Sequence, residues 1–242
     1  MIHTYTLLLV TLSVFPALFI AHKIIEWDNL KPEPYKDLWR VFYFGMLVVF
    51  PVALVELAVS SIFDAFRFSP LVSVFIESFI VAGLIEEWAK MRVIMKKIYT
   101  SEAFDEHMDG IVYSIMASMG FALVENFFYV MGGGISTGIL RSITAVPMHA
   151  MTTGIMGYYI GLSIFMQGPK KNAVIYKGLF IAVFTHGLYD FFCLNPGKFL
   201  WIIPFLYFIY KYLRFLMSIA KKHDIERMKT SPAAADEKCE IS

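Results

Sequence analysis

The sequence predicts an all-α, polytopic membrane protein, with about seven transmembrane helices enclosing a polar active-site cavity. Three observations lead there. Of 242 residues, 58% are hydrophobic and 17% aromatic, and the mean hydropathy is +0.62, more apolar than a water-soluble domain of this length. The apolar residues also fall in runs of roughly 20, long enough for a helix to cross a bilayer. Finally, the runs lack the strict alternation of a barrel strand, and a lipid-embedded backbone must satisfy its own hydrogen bonds.

Each run has its own character. The first, 3–22, has no basic segment before it and no obvious small-residue cleavage site after it, so it reads as a retained span rather than a signal peptide. The second, 41–62, carries Pro51 and Glu56. The third, 71–93, opens with the hydrocarbon-like VSVFIESFIVA and then admits two adjacent carboxylates and a lysine in GLIEEWAKMRV. The fourth, 110–131, holds GFALVENFFY, and the GGG at 132–134 just beyond it is expected to turn on the extracytoplasmic side. The fifth, 138–166, is long enough to be tilted, or broken at Pro147. The sixth, 173–193, holds THGLYDFF; the seventh, 199–219, is aromatic-rich (FLYFIYKY) and expected to face lipid and the interface.

Residues 1–220 are thus expected to form one transmembrane helical domain. The segment 221–242, KKHDIERMKTSPAAADEKCEIS, is polar and aperiodic and reads as a disordered cytoplasmic tail. Basic residues collect between alternate runs: Lys23, Lys31, Lys36 and Arg40, then Arg92, Lys96 and Lys97, then Lys170 and Lys171, then the tail. The other loops carry only Arg67, Arg141 and Lys198, which places the N-terminus outside and the C-terminus in the cytoplasm of a multi-pass protein of the cell membrane. The net charge of +1 shows no basic patch suited to nucleic acid, and two cysteines, Cys193 and Cys239, are too few for a disulfide framework.

An ionisable residue at membrane depth costs a few kcal/mol or more, so each is a functional-site candidate. They cluster on four runs: Glu86, Glu87 and Lys90; Glu125 and Asn126; His149 and Thr153; His186 and Asp190. Glu86 and Lys90 are four apart and share a helical face, while Glu87 points about 100° away toward a different partner. His186 and Asp190 have the same spacing, which lets a carboxylate orient an imidazole or both reach one metal. Two histidines with carboxylates on neighbouring helices could supply zinc ligands, leaving a carboxylate as general base. Without a metal, a buried glutamate could deprotonate the water and a histidine stabilise the oxyanion. The residues leave both chemistries open. Glu56 and Glu77 have no intramembrane partner motif and are read as packing or interfacial residues.

EEWAK, GFALVENFFY, HAMTTGIMGYYIG and HGLYDF, in this order on successive runs, resemble the four motifs of the PrsW family of intramembrane proteases, related to the CAAX prenyl endopeptidase and bacteriocin-processing group. The resemblance runs from about Gly83 to Phe192. It implies site-1-type cleavage of a membrane-anchored protein, such as a single-span anti-sigma factor. Carried over by position, Glu86 and Glu87 would activate or position water. His149 and His186 would be metal ligands or oxyanion stabilisers, and Asn126 an oxyanion donor. A bound zinc would draw on Glu125, His149, His186 and Asp190, with Lys90 and Thr153 in support. Asparagine ends the last motif in the CAAX endopeptidases; an ionised Asp190 cannot donate to an oxyanion, which points it toward orienting His186 or binding metal. Counted from the span ends, Glu86 lies deeper than the histidines, implying a cavity that opens outward and reaches down to it.

Two other classes compete. A proton- or cation-coupled transporter also uses buried Glu, Asp and His, but neither matching halves nor paired broken helices are visible. A catalytically silent membrane scaffold is the third. Convergence of the carboxylates and histidines within a few Å would favour hydrolysis over a conduction path.

Overall fold

The computed structural model describes residues 2–230, and among these there is no strand. The order is α1 (Ile2–Trp27), α2 (Tyr35–Asp64), α3 (Pro70–Ile76), a π-helical segment (Glu77–Leu84), α4 (Ile85–Lys97), α5 (His107–Ile143), α6 (Ala145–Ser163), α7 (Pro169–Leu194), a 3₁₀ segment (Pro196–Trp201) and α8 (Ile202–Thr230). Apolar runs without β-branched alternation form the helices, and proline marks several of their starts: Pro34 precedes α2, and α3 and α7 begin at Pro70 and Pro169.

Among the described residues, five stretches are long and apolar enough to cross a membrane: His3–Trp27, Tyr35–Asp64, His107–Ser163, Pro169–Leu194 and Gly197–Thr230. The sequence predicts about seven. The expected third span is not among the five, because Glu86, Glu87, Lys90 and Arg92 crowd one half of it. The expected fourth and fifth fall together in the stretch His107–Ser163. That stretch doubles back at Gly134, whose φ of 76° and ψ of −164° only glycine adopts without strain. Arg141 then reaches back to Glu125 and Asn126, so the expected GGG turn is real. The backbone breaks again at Thr144 (φ −123°, ψ −68°), and α6 continues antiparallel to α5, with Ser118 Oγ donating to the His149 carbonyl at 2.8 Å.

This hairpin is the centre of the molecule. Ile111, Met116 and Met119 of α5 and Ile155 and Met156 of α6 are buried in the main apolar core. α1 and α2 pack on α5; α7 and α8 pack on α6. The helix α8 runs through Lys221 to Thr230, into the segment expected to be a disordered tail. Its Asp224 is buried and accepts hydrogen bonds from the Met108 amide and from the amide and Nδ1 of His107, so its carboxylate caps the start of α5. The rest of the expected tail, 231–242, lies outside the described residues.

Candidate active site

Four elements deliver the polar groups to one place. The i→i+5 turns of the π-helical segment immediately before α4 widen the helix and rotate the residues beyond Leu84. Glu86, Glu87 and Lys90 consequently all point inward, each at most 5% exposed. The helix α7 lies close against this segment: a Cβ added to Gly187 would sit 2.5 Å from the Phe79 ring, and one added to Gly83 would sit 3.1 Å from the Val183 carbonyl. Only glycine permits that approach, and it brings His186 beside both glutamates.

Lys90 is fully buried and spends its three protons locally. It donates to Glu86 Oε2 at 3.0 Å, Glu87 Oε1 at 2.8 Å and His149 Nδ1 at 3.0 Å. Because an ammonium cannot accept, Nδ1 of His149 is the acceptor, which leaves its Nε2–H for Glu125 Oε2 at 2.8 Å. Glu125 is held in turn by Arg141 Nη2 at 2.8 Å. The second imidazole mirrors the first: His186 Nδ1 meets Glu87 Oε1 at 2.9 Å, and Glu87 Oε2 accepts from Thr153 Oγ1 at 2.9 Å. Each ring thus has one nitrogen on a carboxylate and turns the other toward Glu86. Glu86 Oε2 is 3.9 Å from His149 Nδ1 and 3.9 Å from His186 Nε2. Asp190, 24% exposed, completes the group at 3.2 Å from His186 Nε2.

The donor set fits a metal. Glu86, His149 and His186 offer one carboxylate oxygen and two ring nitrogens within 4.8 Å of one another, and carboxylates on the far nitrogens are the usual supporting arrangement for ligating histidines. Two of those three donors are bonded to the Lys90 ammonium in this structure, so a metal there would displace it.

The predicted residues are not all in contact. Glu86, Glu87, Lys90, His149, Thr153, His186 and Asp190 converge as described. Glu125, expected as a metal ligand, instead supports His149 from behind. Asn126, expected as an oxyanion donor, points away: its Nδ2 hydrogens go to the Leu12 and Ser13 carbonyls of α1, and its Oδ1 accepts from Arg141 Nε. It ties α1 and the hairpin together and has no hydrogen left to give. Glu86 is also no deeper than the histidines, because the π-helical segment begins at Glu77 and α7 meets it at the same level.

Sequence reasoning misses three participants. Arg141 reads from the sequence as a loop cation, yet it clamps Glu125. A cavity of ≈ 480 Å³ opens on the site between Arg141, His149, His186 and Asp190. A second of ≈ 480 Å³ lies on the α2 side of Glu86, and Glu56 and Glu77 line it together with Glu86 and Glu125. These two glutamates are therefore neighbours of the site rather than remote packing residues.

Residues 33–217 match the family described as PrsW family intramembrane metalloprotease. The chain is 33% identical over 190 residues to Protease PrsW of Geobacillus kaustophilus (strain HTA426), covering 78% of this chain and 81% of that protein. It is 36% identical over 195 residues to Protease PrsW of Oceanobacillus iheyensis, covering 80% and 87%. To Protease PrsW of Bacillus subtilis (strain 168) it is 28% identical over 203 residues, covering 84% and 90%. No solved structure matches.

Proposed function

The chain belongs to the PrsW family of intramembrane metalloproteases, and from that premise we propose that Glu86, between His149 and His186, activates water to cut a membrane-anchored protein. Membership makes it a multi-pass membrane protease. The finer reading is a site-1-type endopeptidase that cuts a single-span protein, such as an anti-sigma factor, near the extracytoplasmic end of its span. The orientation read from the loop charges, N-terminus outside, puts the hairpin turn at Gly134 on that side.

One observation carries the reading: Glu86 Oε2 stands 3.9 Å from a nitrogen of each histidine, while the opposite nitrogen of each ring is fixed by a carboxylate. Such convergence supports hydrolysis at a point rather than a path across the bilayer. Among the described residues Glu86 Oε1 makes no hydrogen bond, and Glu86 borders both cavities. It is the atom placed to receive the proton of an attacking water and return it to the departing amine. Lys90 fixes the carboxylate by binding the other oxygen. Arg141 through Glu125, and Lys90 with Thr153 through Glu87, hold the two imidazoles in orientation. A metal held by Glu86, His149 and His186 would take the place of the Lys90 ammonium on that carboxylate, and would acidify the water and polarise the scissile carbonyl.

The test compares membrane-anchored proteins truncated in cells carrying the wild type and in cells carrying Glu86→Gln at matched abundance. Fragments present only with the wild type, cut near the outer face, are expected. Identical profiles would overturn the reading.

A further inference from the structure

A third cavity, away from the catalytic groups, runs along the exposed surface between α2 and α4. It has a volume of ≈ 860 Å³. Its walls are apolar, with Leu47 and Val55 of α2 facing Leu84 and Trp88, and all four side chains are between 40% and 51% exposed. Three cations stand together at one end: Arg92, Lys96 and Lys97, on the last two turns of α4. Lys97 Nζ lies 3.6 Å from the Phe44 ring centroid and the Arg92 guanidinium 5.8 Å from that of Trp88. Among the described residues none of the three forms an ion pair with a carboxylate. The groove therefore presents a long hydrocarbon-lined trough that ends in unpaired positive charge, at the end that the loop charges place on the cytoplasmic side.

We propose that this groove binds an anionic phospholipid of the cytoplasmic leaflet. The acyl chains lie along Leu47, Val55, Leu84 and Trp88, and the phosphate lies among Arg92, Lys96 and Lys97. Charge selects the occupant. Basic clefts between membrane helices on the cytoplasmic side suit anionic headgroups, and the inner leaflet supplies them. A transmembrane helix of a protein partner is the competing occupant, but the cytoplasmic flank of such a helix is itself rich in Lys and Arg, so these three cations would repel it. Size agrees: a membrane helix about 10 Å across and about 30 Å long fills on the order of 2,000 Å³, well beyond this trough. At its other end the groove shares Val52 with the second cavity beside Glu86. A seated lipid thus abuts the lateral side of the catalytic centre without touching it.

The full chain, purified in mild detergent and presented with equal amounts of phosphatidylglycerol and phosphatidylethanolamine, is examined by native mass spectrometry for retained lipid. The wild type is expected to retain phosphatidylglycerol in preference by on the order of tenfold or more, since each cation near a headgroup contributes. The triple variant Arg92→Gln, Lys96→Gln, Lys97→Gln, checked for unchanged helicity, is expected to lose that preference. Equal retention of the two lipids by the wild type, or an undiminished preference in the variant, overturns the proposal. So does a photo-reactive group placed at Trp88 that crosslinks in membranes to a protein span and not to lipid.

Discussion

Lys90→Met is the perturbation on which the site's architecture bears most directly. The side chain is fully buried and its ammonium bridges Glu86, Glu87 and His149 at 3.0, 2.8 and 3.0 Å. Methionine keeps the volume and removes the charge. The two buried carboxylates, adjacent on α4, then lose the ammonium they share, and removing one member of a buried ion pair costs about 3–5 kcal/mol. Glu87 retains Thr153 and His186, so most of the loss falls on Glu86, whose Oε2 has no other hydrogen bond among the described residues. The double variant Lys90→Met, Glu86→Gln removes the stranded charge and should recover on the order of half of that loss. Thermal unfolding of the four proteins of this cycle in one detergent gives the coupling, and cleavage of a membrane-anchored substrate gives the functional cost. A Lys90→Met protein as stable and as active as the wild type would show that the ammonium neither holds the glutamates nor serves the chemistry.

Arg141→Ala should release Glu125 and, through it, His149; cleavage or metal affinity is expected to fall about 10–100-fold with normal accumulation of the protein, and an unchanged rate would remove Arg141 from the positioning set. Gly187→Ala places a Cβ 2.5 Å from the Phe79 ring and should push α7 off the π-helical segment. A shift near 1 Å at His186 is expected to cost about 10²-fold in rate, measured against a conservative change at the exposed Phe180. His186→Ala should lower bound zinc by elemental analysis, and a fully active preparation free of metal would contradict it. At the end of the molecule away from Gly134, burial pushes the Asp28 and Glu33 carboxyls up to about 6, and burial beside Asp224, Asp28 and Asp105 pushes Glu106 up to about 7. These groups favour the folded state when protonated. Their contribution is complete below the usual carboxylate pKa and is lost as pH rises through about 7, so thermal stability should decline from pH 5 to pH 8. Glu106→Gln should flatten that decline, and an unaltered slope would assign it elsewhere.

Much of the site is legible in the sequence because helix spacing is local geometry. The four-residue steps from Glu86 to Lys90 and from His186 to Asp190 put each pair on one face, where each is in contact, whereas Glu87, expected to point away to a different partner, meets His186 and Thr153 and also shares Lys90 with Glu86. The features that the sequence hides depend on how elements meet. The π-helical turns at Glu77–Leu84 have no local composition that marks them, so Glu86 looks too deep and Glu56 and Glu77 look remote. Asn126 carries the right group for an oxyanion donor, but its partners are carbonyls of α1, more than a hundred positions earlier. Arg141 has a faint signal: it and Glu125 lie at almost equal distances either side of Gly132–Gly134, so a tight turn there brings them level. The continuation of α8 to Thr230 escapes because its anchor, the Asp224 cap on α5, joins residues far apart in the chain.

The doubling back at Gly134 also has a bearing on biogenesis. Glu125, Arg141 and His149 belong to one continuous stretch, and their mutual bonds need only its two arms. His186 belongs to a helix synthesised later and meets Glu87 only when that helix docks. Chains emerge from the ribosome in order, so a nascent molecule carries Glu86, Glu87, Lys90 and His149 before His186, the second imidazole, has been made. On the proposed mechanism, the site is complete only after insertion of the penultimate long helix, which brings His186 to Glu87.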